Sequence, residues 1–299
     1  MLARVLSILA MVVVLLAQAS PTATAQLDAP YRAFTATSYW NTPVPNGVDS
    51  HNAAYIKWLK SKAPQGITFG MGDWAMPVYW AQASDKLVTI NPDHGPTVTF
   101  HRPSNMTAMA GNDAAVVVFD LASNQSLQFF EFDPITNTAS GSARYWLDGN
   151  GIADSVDGMR VGDDGHRGIP GAVHMVRRDE VLVGLIAHRL KVALPGTGSC
   201  GVYPMSGYEK NKGGIICEGM VMHIKPSVDL IARGLRGGTL VIATALQKYG
   251  ALVGDNGGGS KVSLKLERTD WSGIDVKTRA LFPPLTWDDF VFSPAGWGK

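Results

Sequence analysis

A mainly β fold, an antiparallel β-sandwich of jelly-roll type with about three short helices, is what the sequence predicts. Three observations carry it. Thirty-three Gly and 17 Pro are spread over 299 residues without a period, so hydrophobic stretches stay short. Most of those stretches are bounded by Gly, Pro, Asn or Asp, as short strands are. One pair of them reads as a hairpin: Ala114 to Asp120, rich in β-formers, a turn at Ala122-Ser123-Asn124-Gln125, and a return from Leu127 to Asp133.

The same pattern marks strands at Leu87–Ile90, Thr97–His101, Ala143–Leu147, Met220–Ile224 and Val262–Leu266. Helices are predicted where end signals occur. Ser50 would cap one running through Tyr55, Trp58 and Leu59, and Asp179 would open another at Val181–Leu185. The third, Thr239 to Tyr249, stops at Gly250, the residue type that most readily takes the left-handed position after a helix. Ala251-Leu252-Val253 then reads as a strand opening into the loop Asp255-Asn256-Gly257-Gly258-Gly259.

Residues 1–25 have the zones of a cleavable secretory signal: Arg4, an apolar run from Val5 to about Ala17, and Ala23-Thr24-Ala25 as a cleavage site. The apolar run is shorter than the ~20 residues a membrane span needs. The expectation is therefore a secreted protein, extracellular or periplasmic, without a membrane span after cleavage. Residues 26–299 would form a single β-rich catalytic or glycan-binding domain. A net charge of +1, with basic residues scattered, lacks the Lys/Arg stripe of a nucleic-acid partner.

Cys200 and Cys217 are the only cysteines. In an oxidising compartment they are expected to pair, and closing so short a loop contributes on the order of 3 kcal/mol. Neither has the ligand spacing of a zinc site.

Several segments in order form a pattern: Ser38-Tyr39-Trp40-Asn41-Thr42-Pro43, Phe130-Glu131-Phe132, Gly184-Leu185-Ile186-Ala187-His188, Val202-Tyr203-Pro204, and Ala245 to Gly250 followed by Asp255-Asn256-Gly257. In this the chain resembles a family of uncharacterised secreted bacterial proteins. The resemblance implies a lectin-type or jelly-roll glycan-active protein and brings no assigned activity with it.

The candidate chemistry follows from residue types. An exported enzyme without a cofactor most often hydrolyses a polymer, here an extracellular polysaccharide, and a glycosidase needs two carboxyl groups. Glu131 would project from its strand opposite to Phe130 and Phe132, and Asp255 would stand at a strand end beside Asn256. The alternatives are a surface Glu and a plain Asp-Asn-Gly-Gly turn. A lyase reading pairs His188 as base with Tyr203 as acid, Arg189 or Arg167 neutralising a uronic carboxylate; against it stands a buried structural His. Trp40, Arg189, Asn256 and Tyr208 are the expected substrate contacts. A third reading is a non-catalytic carbohydrate-binding cell-surface protein.

Asp148, Asn150 and Asp154 have the alternate spacing of a calcium loop, but its twelfth position is Met159 rather than Glu, so a solvated acidic loop is the competing reading. No nucleophile elbow, dinucleotide fingerprint or P-loop occurs, so no cofactor other than calcium is expected.

Overall fold

The structure, a computed structural model, describes residues 30–153, 165–274 and 285–299. The signal segment 1–25 and Asp154 lie outside them. Among the described residues the fold is mainly β, with several sheets, one of them curled as a half-barrel.

Six strands form the largest sheet: β1 (Ile67–Gly70), β8 (Leu190–Leu194), β9 (Val221–Ile224), β10 (Ala251–Asn256), β11 (Val262–Lys265) and β12 (Phe290–Phe292), in the order β1-β11-β8-β10-β9-β12. A second sheet has the order β2-β5-β6-β7, built from β2 (Val78–Ala81), β5 (Val116–Asp120), β6 (Gln125–Phe130) and β7 (Gly141–Trp146). A hairpin of β3 (Lys86–Ile90) and β4 (Val98–Arg102) stands apart.

The predicted hairpin is present as β5 and β6, in antiparallel register from Val116↔Phe129 to Asp120↔Gln125. The expectation of antiparallel pairing throughout is corrected. β1 and β11, β8 and β10, and β2 and β5 run parallel. Side-chain alternation does not reveal strand direction, and strands covered on both faces read as continuous apolar runs in either case.

Three apolar layers explain those runs. On one face of the six-stranded sheet, Val192, Val253, Val262 and Leu264 pack against Leu59 of α1 (Asn52–Lys62), Val181 of α3 (Arg178–Val183) and Ile242 and Leu246 of α4 (Gly237–Lys248). On the other face, Val221 and Leu252 meet Val117, Phe119, Ala143 and Tyr145 of the four-stranded sheet. That sheet's far face, through Val116, Val118, Leu127 and Phe129, is covered by Ile90, Val98 and Phe100 of the β3–β4 hairpin. The uninterrupted Val116-Val117-Val118-Phe119 thus serves two cores at once.

The three predicted helices, α1, α3 and α4, sit close to their expected places, and a one-turn helix, α2 (Gly165–Gly168), stands between the first two in the chain. α1 has His51, not Ser50, at its N-cap, and the Asp49 carboxylate accepts the His51 N–H at 2.8 Å. α3 ends at Gly184 in the left-handed conformation, and Gly250 takes φ 72° beyond α4. No described helix is long and apolar enough to cross a membrane.

Cys200 and Cys217 form the expected disulfide. Around it Gly198 N–H donates to Ile216 O and Val202 N–H to Glu218 O, tying segment 196–202 to segment 214–218. Replacing both cysteines by Ser is expected to lower unfolding stability by about 3 kcal/mol, measured by chemical denaturation.

Candidate active site

The site grows from a charge in the middle of an apolar strand. Lys191 lies in β8, a strand buried along its whole length, on the face opposite the helical core. A buried ammonium needs a counter-charge, and Lys191 Nζ donates to Asp255 Oδ2 at 2.8 Å. Asp255 reaches that position because β10 bulges: its register with β8 shifts between Val253 and Asp255, at Gly254.

Next to β8, β11 alternates. Val262 and Leu264 are buried in the helical core, while Ser263 and Lys265 face the other way. With Asp255 and Asn256 they line a cavity of about 600 Å³. Its wall also includes Phe69, Met71, Trp74, Asp113 and Glu209. Trp74 is exposed there, its ring lying over Gly111, where an added Cβ would come within 3.0 Å of it.

Asn256 ties two carboxylates together. Its backbone N–H donates to Asp255 Oδ1 at 2.9 Å and its side chain to Glu209 Oε2 at 2.8 Å. Glu209 also pairs with Arg167 and Lys212, each at 3.4 Å. Behind it lies Glu218, whose side chain is fully buried. Glu218 Oε1 accepts from Thr197 Oγ1 and from Glu209 N–H, both at 3.3 Å, and Arg167 stands 3.8 Å from Oε2.

The carboxyls are displaced in opposite directions. Burial alone would raise the Asp255 pKa, but the ammonium of Lys191, with help from Lys265 and His174, holds it below the usual carboxylate value. For Glu218, burial wins over Arg167, and the nearby Glu209 and Asp255 charges add to it, so its pKa is raised. Burial, together with Lys191 beside it, pulls Lys265 down to about 8.

Asp255 and Asn256 are therefore the predicted residues that line the cavity. Glu131 does not. β6 ends at Phe130, and Glu131 takes a left-handed backbone (φ 48°), so strand alternation stops before it: Phe130 is exposed and Phe132 buried. Its contribution is through the backbone, since Glu131 N–H donates to the carbonyl of Asp113, on the cavity wall.

The lyase pair is placed elsewhere. His188 is buried, with Nε2 2.8 Å from Glu180 Oε1 and Nδ1 2.8 Å from the carbonyl of Arg189, so both ring nitrogens are engaged. Tyr203 packs edge-on against Tyr39. Arg189 is fully buried rather than open to a substrate: it donates to the carbonyls of Tyr39, Thr42 and Tyr249 and lies over the rings of Tyr39 and Trp297. Desolvation lowers its pKa to about 10. Trp40 is likewise wholly buried and donates to Gly151 O at 2.6 Å, which leaves no ring face for a sugar. Tyr208 is exposed on the disulfide loop beside Glu209.

At the expected calcium loop, Asp148 is exposed and Asn150 Oδ1 already accepts the Ile152 N–H at 2.9 Å. Among the described residues no three His, Cys, Asp or Glu converge on a common point.

The residues that sequence reasoning missed are Lys191, Lys265, Glu209 and Glu218. Lys191 had a readable signal, a lone charge inside Leu190-Lys191-Val192-Ala193-Leu194 that folding could bury only beside an opposite charge. Glu209 and Glu218 had none, since the crossing of two loop segments brings them in. That crossing is tight: a Cβ on Gly196 would lie 2.2 Å from the carbonyl of Lys212. Gly196→Ala is expected to displace the loop carrying Glu209, costing roughly 1–3 kcal/mol in thermal unfolding. Comparison with protein families, with curated proteins and with solved structures finds no match to this chain.

Proposed function

We propose that the chain is an exported, carbohydrate-active enzyme that hydrolyses an extracellular polysaccharide in the Asp255 cavity. One observation carries the reading: two carboxylates from different segments, Asp255 and Glu209, are joined through Asn256 on one cavity wall that also carries Trp74. Hydrolysis of a glycosidic bond asks for one carboxyl as base or nucleophile and another as acid. Asp255, held ionised by Lys191, suits the first role. Glu209, fixed on the same wall by its bond from Asn256, supplies the second carboxyl. Trp74 offers an apolar face for a sugar ring.

A cavity of this size accommodates a sugar unit or two. The disulfide supports export, and the two larger sheets, packed through one apolar layer, support the sandwich reading of the fold.

The test is a panel of neutral and acidic polysaccharides incubated with the mature protein, read by new reducing ends and by near-ultraviolet absorbance. Reducing ends without absorbance, lost in Glu209→Gln, are the expected result. An unsaturated product would replace hydrolysis by β-elimination, and binding without cleavage would make the chain a carbohydrate-binding protein.

A further inference from the structure

Lys265 is the cation in the cavity whose needs the protein leaves unmet. Its side chain is 12% exposed, it lines the cavity, and its closest carboxylate, Asp113, stands 4.0 Å away. Among the described residues it makes no hydrogen bond. An ammonium carries three donors, and those of Lys265 open onto the cavity rather than onto an acceptor of the protein within hydrogen-bond reach. The neighbouring charges are otherwise engaged: Lys191 with Asp255 at 2.8 Å, and Glu209 with Asn256, Arg167 and Lys212.

The charge count points the same way. Asp113, Glu209 and Asp255 balance Lys212, Lys261 and Lys265 on the wall. Behind the wall stand Lys191, bonded to Asp255, and Arg167, 3.8 Å from the buried carboxyl of Glu218, so cationic groups outnumber carboxyls around the site.

Resting on the glycan reading of this cavity, we infer that its ligand is an acidic sugar, whose anionic substituent is seated on Lys265 with Lys261 at the rim. Lys265 completes its donor set on that anion, and the adjacent sugar ring lies toward Trp74. Lys265 is faced by Lys191 from β8, Asp255 from β10 and Asp113 from the segment before β5, and its pKa stands at about 8. Only its charged form attracts an anion. Affinity is therefore flat below about pH 8 and falls as pH rises above it.

The experiment is calorimetric titration of the mature protein with short uronic-acid oligosaccharides, their methyl esters, which differ only in lacking the charge, and sulfated oligosaccharides of similar length. An acid is expected to bind about ten- to a hundredfold tighter than its ester, the range of a charge-assisted hydrogen bond. Lys265→Met removes that preference, Lys265→Arg keeps it and abolishes its fall above pH 8, and the exposed Lys261→Ala weakens it a few-fold without affecting folding. The uronic and sulfated arms tell which anion is taken. Esters binding as well as acids, or a preference that survives Lys265→Met, would overturn the acidic-sugar inference while leaving the glycan reading intact. Absence of binding by every oligosaccharide, charged or neutral, would remove both.

Discussion

On the proposed hydrolase reading, Asp255→Asn is expected to lower glycan cleavage by a factor on the order of 10² to 10⁴, the range for loss of a positioned acid or base. The substitution keeps the shape of the side chain and its place beside Asn256, so the loss is chemical. Two further effects follow from Lys191. The Asp255 pKa is lowered in the folded protein, so its contribution to stability is fully present above about pH 4, the unfolded value, and is lost as pH falls through the folded value. Asp255→Asn removes that acid-side dependence from an unfolding curve measured against pH. It also costs stability at neutral pH, because Lys191 and Lys265 then face each other with less counter-charge. Lys191→Met separates the roles. It leaves the carboxylate in the cavity but removes the ammonium that keeps it ionised, so the acid limb of the pH–rate profile moves upward. A Lys191→Met variant with an unmoved acid limb would show that Lys191 does not set the state of Asp255.

Legibility in the sequence divides along a physical line. Features set by neighbours in the chain were readable: the β5–β6 hairpin, the Gly250 stop after α4, and Asp255 at the mouth of a strand. Features set by contacts between distant segments were not. β1, β2, β8 and β12 carry no strand signal of their own because they are short and lie in mixed sequence, and β8 holds a lysine that argues against burial until Asp255 is beside it. Of the residues proposed for chemistry, Asp255 and Asn256 stand at the cavity. Glu131 was misplaced by one feature, a left-handed residue that ends the alternation on which its orientation depended. His188, Arg189 and Trp40 share another cause. Each has a group suited to binding a ligand, and each has that group filled by a carbonyl or carboxylate of the protein itself. Sequence lists donors and acceptors; only the fold says which are already taken.

The buried cluster around His188 makes the second large effect one of stability. Glu180 is buried between Arg177, whose guanidinium lies 3.0 Å from Oε1, and His188 at 2.8 Å, and its Oε2 accepts the Arg177 N–H at 3.1 Å. Burial would raise the Glu180 pKa, but Arg177 and His188 outweigh it and hold it low; burial would lower that of Arg177, and Glu180 and Asp179 reverse it. Glu180→Ala leaves a buried guanidinium without its main partner, a change that costs roughly 3–5 kcal/mol. For a chain of this length that is a fall in Tm on the order of 10 °C. Arg177→Met combined with Glu180→Met is expected to recover much of it, since well-packed apolar groups replace a buried ion pair at little cost. Because the folded pKa of Glu180 lies below its unfolded value, the wild-type advantage over Glu180→Gln is complete above about pH 4.5 and fades as pH falls through the folded value. His188→Ala should likewise lower Tm, by roughly 5 °C, and leave kcat within a few-fold when assayed well below melting. A hundredfold loss of kcat with Tm unchanged would instead assign His188 to the chemistry, and would require that the Glu180–His188 contact open in the complex with substrate.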